Sequence, residues 1–129
     1  MGAEGDPLPA ELVTGNTLVD EQHRAILAAL KSLWETRDID AAVQSLSEHF
    51  SAHFACEETL MEDAGYPGEP QHRMAHLEFF DIWLNARARW QRIHDNREAA
   101  DFMAAMAGWL KTHVLGEDMR MARWLKGER

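Results

Sequence analysis

Cysteine is nearly absent. Cys56 stands alone in 129 residues, so no disulfide can form within the chain and a thiolate metal site of the zinc-finger type is excluded. On its own this residue reads as a small, buried apolar side chain. Long apolar runs are missing too: the greasiest stretch, Phe102 to Leu110, falls well short of the roughly 18 residues that a membrane span needs. Positive charge is in deficit, with 13 Lys and Arg against 22 Asp and Glu and a formal net charge of -9. That balance repels nucleic-acid phosphates and anionic membrane faces alike. The opening residues Met1-Gly2-Ala3-Glu4-Gly5-Asp6 lack the basic and apolar regions of a signal peptide, and Asp6 stands where myristoylation needs Ser or Thr. A soluble, cytoplasmic protein is the expectation. Alternating strand patterns, internal repeats and low-complexity tracts are lacking as well, which leaves helices as the building material.

What is present is helical periodicity with clear punctuation. One domain over residues 1–129 is expected from the length, made of an extended arm over 1–16, a four-helix bundle over 17–116 and a tail over 117–129. Pro7 and Pro9 with several glycines keep the arm extended. Thr17-Leu18-Val19-Asp20 has capping-box spacing and opens a helix whose face carries His23, Leu27, Leu30 and Trp34. Asp38 or Asp40 can cap the second helix, where Val43, Leu46, Phe50, His53, Glu57, Leu60 and Ala64 alternate by three and four until Gly65. After Gly65-Tyr66-Pro67-Gly68, with Pro70 in its first turn, the third helix presents His72, His76, Phe79, Trp83, Ala86 and Trp90 and breaks at Asp95-Asn96. The fourth carries Phe102, Met106, Trp109 and His113, with Met103 and Leu110 beside them, and Gly116 reads as its stop. Glu117 to Leu125 can add a further turn or two. The fold class that follows is all-α, an up-down-up-down four-helix bundle with an extended arm and a short helical tail.

Several seam positions hold polar residues where apolar ones belong. His53 and Glu57 are successive seam positions of the second helix, and His72 and His76 of the third; at i, i+4 each pair faces one point, about 6 Å of rise apart. His23 lies near the start of the first helix, His53 and Glu57 toward the end of the second, His72 and His76 at the start of the third, and His113 at the end of the fourth. In an up-down bundle these places share one end. Asp118, five residues after His113, can return its carboxylate there if the chain bends at Gly116. Unpaired buried imidazoles and carboxylates would cost on the order of several kcal/mol each, comparable with a small domain's net stability. A cation resolves this. Seven donors exceed what one transition metal with an open position can take, but suit two adjacent metals bridged by the two carboxylates. Several imidazoles without thiolate favour iron over zinc, manganese or copper.

One helix-facing histidine is usually an ordinary core residue, and one H-x-x-x-H pair means little; five histidines and two acids gathered at one end are a different matter. His49 sits beside the seam and is assigned to the surface or to a supporting contact. His94 suits the C-terminal end of its helix. Arg73 after His72 excludes the H-E-x-x-H zinc protease pattern, and no seam carries the Glu-x-x-His of carboxylate-rich di-iron bundles.

These residues resemble the hemerythrin family, in particular its single-domain bacterial members. The resemblance rests on Asp20-Glu21-Gln22-His23, on His53-Phe54-Ala55-Cys56-Glu57-Glu58 with Met61, on Tyr66-Pro67 before His72-Arg73-Met74-Ala75-His76, and on Trp109-Leu110-Lys111-Thr112-His113 through Asp118. It implies that His72, His76 and His113 hold one iron and that His23 and His53 hold the other. Glu57, Asp118 and an oxo or hydroxo group would bridge the two ions, and dioxygen would bind reversibly at the vacant position of the second. It further implies that Phe54, Trp109, Leu110 and Val114 wall the oxygen pocket, where an apolar lining admits neutral dioxygen and offers few protons for O–O cleavage. The arm, with Leu8 and Leu12, lacks the Trp that many relatives carry there, and Val114 stands where a larger Ile is common.

Oxygen carriage, storage or supply is the leading reading, with dioxygen as the partner and no enzymatic turnover. A sensor of oxygen, nitric oxide or redox state would use the same centre for a separate protein partner. A peroxidase or iron oxidase would need a general acid or base, which the pocket residues do not offer. A metal-free structural bundle would tolerate Glu57→Ala with little loss.

Overall fold

The structure, a computed structural model, describes residues 8–35, 39–92 and 96–127. Four long helices follow the sequence punctuation: α1 (Thr17–Glu35), α2 (Ile39–Ala64), α3 (Glu69–Arg92) and α4 (Asn96–His113), with a short α5 (Met119–Leu125) beyond. The chief packing pairs are α1 on α2, α2 on α3, α3 on α4 and α4 on α1. That ring of neighbours is the up-down-up-down bundle. Residues 1–7, the alternative cap Asp38, the break at Asp95, His94 and the side chain of Trp34 lie outside the described residues. Among the described residues no helix is long and apolar enough to cross a membrane.

The core follows the predicted seams with two shifts: on α1 Ile26 is fully buried and the predicted Leu27 only half-buried, and on α4 Leu110 is buried while Trp109 is half-buried. Ile26, Leu30, Val43, Leu46, Phe50, Phe79, Trp83, Phe102, Met106 and Leu110 are buried in one cluster, joined by Leu8 and Leu12 from the arm. The arm is not wholly extended: Ala10–Leu12 forms a single 3₁₀ turn that tucks Leu12 inward. A smaller cluster of Val19, Met61 and Met121 closes the other end of the bundle. The α2 seam drifts there: Met61 is fully buried, Leu60 is half-buried and Ala64 is exposed, because the last turn faces α5 rather than the bundle axis. Cys56, expected inside, is only half-buried, and His49 is exposed.

The helix ends correct two expectations. Asn16, not Thr17, caps α1, accepting from the Val19 amide at 3.1 Å. Asp20 therefore sits one turn inside and grips the arm instead, accepting from the Thr14 amide (2.9 Å), the Thr14 hydroxyl (2.7 Å) and the Gly15 amide (3.1 Å). Asp40 lies within the first turn of α2, where its carboxylate accepts from Trp90 Nε1 at 3.1 Å. Gly65 does end α2 as predicted. At φ 67° it takes the left-handed conformation, with bonds from the Gly65 amide to Glu62 and from the Tyr66 amide to Met61.

The C-terminal end of α4 is the main departure. Gly116 does not stop the helix. Its φ is not positive, and the chain continues through one π turn, Val114–Asp118, directly into α5. Five residues at 3.6 per turn span about 500°, which would leave His113 and Asp118 about 140° apart around an α-helix. The wider π turn absorbs the extra residue and brings both side chains to the same face. A local change of helix type, not a bend after a stop, returns Asp118 to the bundle.

Candidate metal centre

Each helix delivers its polar residues at the same level. His23 comes from α1, His53 and Glu57 from α2, His72 and His76 from α3, His113 from α4 and Asp118 from the π turn. All seven are buried, none more than 4 % exposed. They fall into two groups whose potential ligand atoms lie within 4.8 Å of one another: Glu57, His72, His76, His113 and Asp118 in one, His23, His53, Glu57 and Asp118 in the other. The carboxylates belong to both groups.

Their oxygens are divided between the groups. Asp118 Oδ1 lies 2.9 Å from both His72 Nε2 and His113 Nε2, while Oδ2 lies 2.9 Å from His23 Nε2. Glu57 Oε1 lies 3.1 Å from His76 Nε2 and 3.4 Å from His72 Nε2, and Oε2 lies 3.5 Å from His53 Nε2. Most of these contacts are not aligned as hydrogen bonds. The ring Nε2 atoms of His23, His53, His72 and His113, both Asp118 oxygens and Glu57 Oε2 are buried without a hydrogen-bond partner among the described residues. So many orphaned lone pairs at one place cost a small domain stability until something satisfies them. They aim at shared points between the side chains, as ligands of a cation do. The donor set, rich in nitrogen, free of sulfur and with each carboxylate turned two ways, fits a pair of divalent or trivalent transition metals.

Electrostatics among these groups favours the same use. Burial, helped by the neighbouring His23, pushes His53 down to about 3. Burial, then His113 and His72, pushes His76 down to about 2. Both rings are thus neutral and ready to donate a lone pair. Burial would also lower His113, but the carboxylates of Asp118 and Glu57 outweigh it and raise the ring to about 9. Burial likewise opposes a charge on Asp118, yet the crowding imidazoles of His113, His23 and His72 hold its carboxyl well below the usual range. Glu57 moves the other way, raised by burial and by the charge of Asp118.

Apolar and aromatic groups seal the cluster on both sides. Phe54 stacks on His76 (3.9 Å between centroids, 14°) and Trp109 on His113 (4.5 Å, 13°). Leu110 and Val114 are fully buried in the adjoining core. On the far side Val19, Met61 and Met121 stand one turn from His23, Glu57 and Asp118 and form a roof. Trp109 and His113 also border a surface cleft of about 250 Å³ between α3 and α4, rimmed by Glu78 and Glu117.

The seven predicted donors are brought together, and of the four predicted pocket residues Phe54 and Trp109 stack on two of the rings while Leu110 and Val114 are buried in the core cluster that includes Phe54. The spacing of the sequence did not mark two further residues that touch the rings from behind. Gln22 Oε1 lies 2.7 Å from His53 Nδ1, and Glu58 Oε2 lies 2.9 Å from His76 Nδ1. Both stand inside the fragments that carry the family resemblance, next to His23 and Glu57, but nothing in their helical spacing set them apart from exposed neighbours.

The family described as the hemerythrin HHE cation binding domain matches residues 14–125 of this chain. Bacteriohemerythrin of Stenotrophomonas maltophilia is 29% identical over 122 residues, spanning 90% of this chain and 78% of its own length. Bacteriohemerythrin of Pseudomonas aeruginosa is 30% identical over 114 residues, 84% of this chain and 73% of its own. Myohemerythrin of Sipunculus nudus is 34% identical over a shorter span of 71 residues, 55% and 59% of the two chains. No solved structure matches significantly.

Proposed function

We propose, from the premise that this chain belongs to the hemerythrin family, that it binds dioxygen reversibly at a pair of iron ions as an oxygen carrier, store or local supply. In this reading His72, His76 and His113 hold one ion, His23 and His53 hold the other, and Glu57 and Asp118 join the two. The observation that carries it is the division of both carboxylates, each with one oxygen turned to the three-imidazole group and the other to the two-imidazole group. Held by these residues, a pair of irons would supply reversible redox chemistry toward dioxygen.

The surrounding residues support binding over turnover. The first group offers three imidazoles with the two shared carboxylates, whereas the second offers only two imidazoles with the same carboxylates and would leave room for a small ligand. Phe54, Leu110 and Val114 offer no proton donor, and Trp109 offers only an indole N–H. A dry wall of this kind slows proton-driven O–O cleavage. The Val19, Met61 and Met121 roof keeps bulk water off the opposite side.

Purified protein is expected to contain about two irons per chain. A reduced, anaerobic sample should develop a visible charge-transfer band in air and lose it under vacuum over repeated cycles. Oxygen consumed without return, or peroxide turned over steadily, would overturn the carrier reading in favour of an enzyme.

A further inference from the structure

The two groups of imidazoles differ in what stands behind them. Each contains one ring anchored at Nδ1 by a side chain. In the group of three, His76 Nδ1 lies 2.9 Å from Glu58 Oε2. A carboxylate only accepts, so the proton sits on Nδ1 and the Nε2 lone pair faces the site. Glu58 is itself braced: Arg73 Nη1 donates to its other oxygen at 2.8 Å, and Arg73 Nε donates to Glu69 one turn earlier on α3. In the group of two, the anchor of His53 is a neutral amide oxygen, Gln22 Oε1 at 2.7 Å. The Nδ1 atoms of His23 and His72 have no hydrogen-bond partner among the described residues. A carboxylate behind an imidazole pulls on the N–H proton and raises electron density at the opposite nitrogen; an uncharged amide does so far less.

We propose that Glu58 and Gln22 are positioning residues that make the two halves of the centre unequal. Glu58, braced by Arg73, makes His76 a strong donor that retains its metal, whereas Gln22 leaves His53 a weaker donor whose metal exchanges more readily and stays open to an incoming ligand. This rests on reading the seven donors as a two-metal site. The inequality then has two sources acting in one direction: the number of imidazoles, and the charge of the group behind one of them.

The test is calorimetric titration of metal-free protein with Co²⁺, comparing wild type with Glu58→Gln and Gln22→Glu. Wild type should show two binding events at least ~10-fold apart. Glu58→Gln should weaken the tighter event by ~10–100-fold and leave the weaker one in place, while Gln22→Glu should strengthen the weaker event by ~10-fold. A gain of affinity at one event is not something that damage to the fold produces. Should Glu58→Gln fail to fold, Arg73→Gln, which leaves Glu58 in place but unbraced, must weaken the tight event alone. Two events that respond equally, or not at all, to these changes would overturn the inference while leaving the two-metal reading intact. One Co²⁺ or none bound by wild type would sink that reading, and this inference with it.

Discussion

Where the bundle holds Val43, Trp83, Trp90 and Phe102, its seams are apolar and the side chains pack on one another, Trp83 against Phe102 at 5.2 Å for example. Further along the same seams stand His23, His53, Glu57, His72, His76 and His113, equally buried but with many polar atoms left unpartnered. The helices do not change character between the two regions; only the side chains do. One region holds itself together by removing apolar surface from water, and the other is held by what it binds. Stability and function are thus separated along the bundle axis, and each can be disturbed with limited effect on the other.

The largest effect should follow from Asp118→Ala. It removes a group that faces both imidazole sets, and metal content measured by elemental analysis should fall from two ions per chain to one or none, with affinity down by more than ~100-fold. Retention of two tightly bound ions would break the comparison at its root. Next in size, Phe50→Ala in the apolar region should cost ~3–5 kcal/mol of unfolding free energy in denaturant titration. Metal stoichiometry should stay at two, and a loss of metal as great as for Asp118→Ala would show that the regions are not separable.

A smaller effect concerns pH. In chelated protein His113 titrates near 9, so below that pH it must give up a proton to become a ligand. Co²⁺ affinity should rise about tenfold per pH unit for each proton released between pH 7 and 9 and flatten above. A flat profile would count against His113 as a ligand. The same chelated protein should lose stability at acid pH as well. His53 and His76 have lowered values of about 3 and 2, so the unfolded chain binds more protons, and stability falls as pH drops below about 6.5. The raised His113 acts in the opposite sense: its contribution is fully present below about 6.5 and is lost as pH climbs through 9. The smallest change is Gly116→Ala. Nothing lies within 4 Å of the added Cβ and φ there is not positive, so the substitution should be neutral or stabilising by up to ~1 kcal/mol. A clear loss in thermal melting would restore the idea that this glycine ends the helix.

Much of the bundle was legible because burial writes a period into the sequence. The α3 seam from His72 to Trp90 is buried as read, apart from the half-buried Ala86. Six of the seven clustered residues could be found for the same reason: a His or Glu at a seam position is conspicuous, and chain order in an up-down bundle says which seam positions share a level. Asp118, by contrast, lies off any seam and arrives by a π turn, not by the expected bend at Gly116. Local signals were less faithful. Thr17 and Asn16 both suit a cap, and only the backbone geometry decides between them. Gly116 matched a helix stop in composition, yet a glycine is compatible with continuing a helix at modest cost.

By itself the sequence determined which faces of four helices point inward and that a set of nitrogen and oxygen donors must be buried together, since hydrophobic period and helix order depend only on the chain. The tertiary structure alone decided that Asp118 reaches the site through a π turn, that each carboxylate divides its oxygens between two groups, and that Glu58 and Gln22 stand behind different rings. Those outcomes turn on rotations of a fraction of a helical turn and on contacts between residues distant in the chain. A one-dimensional pattern carries neither.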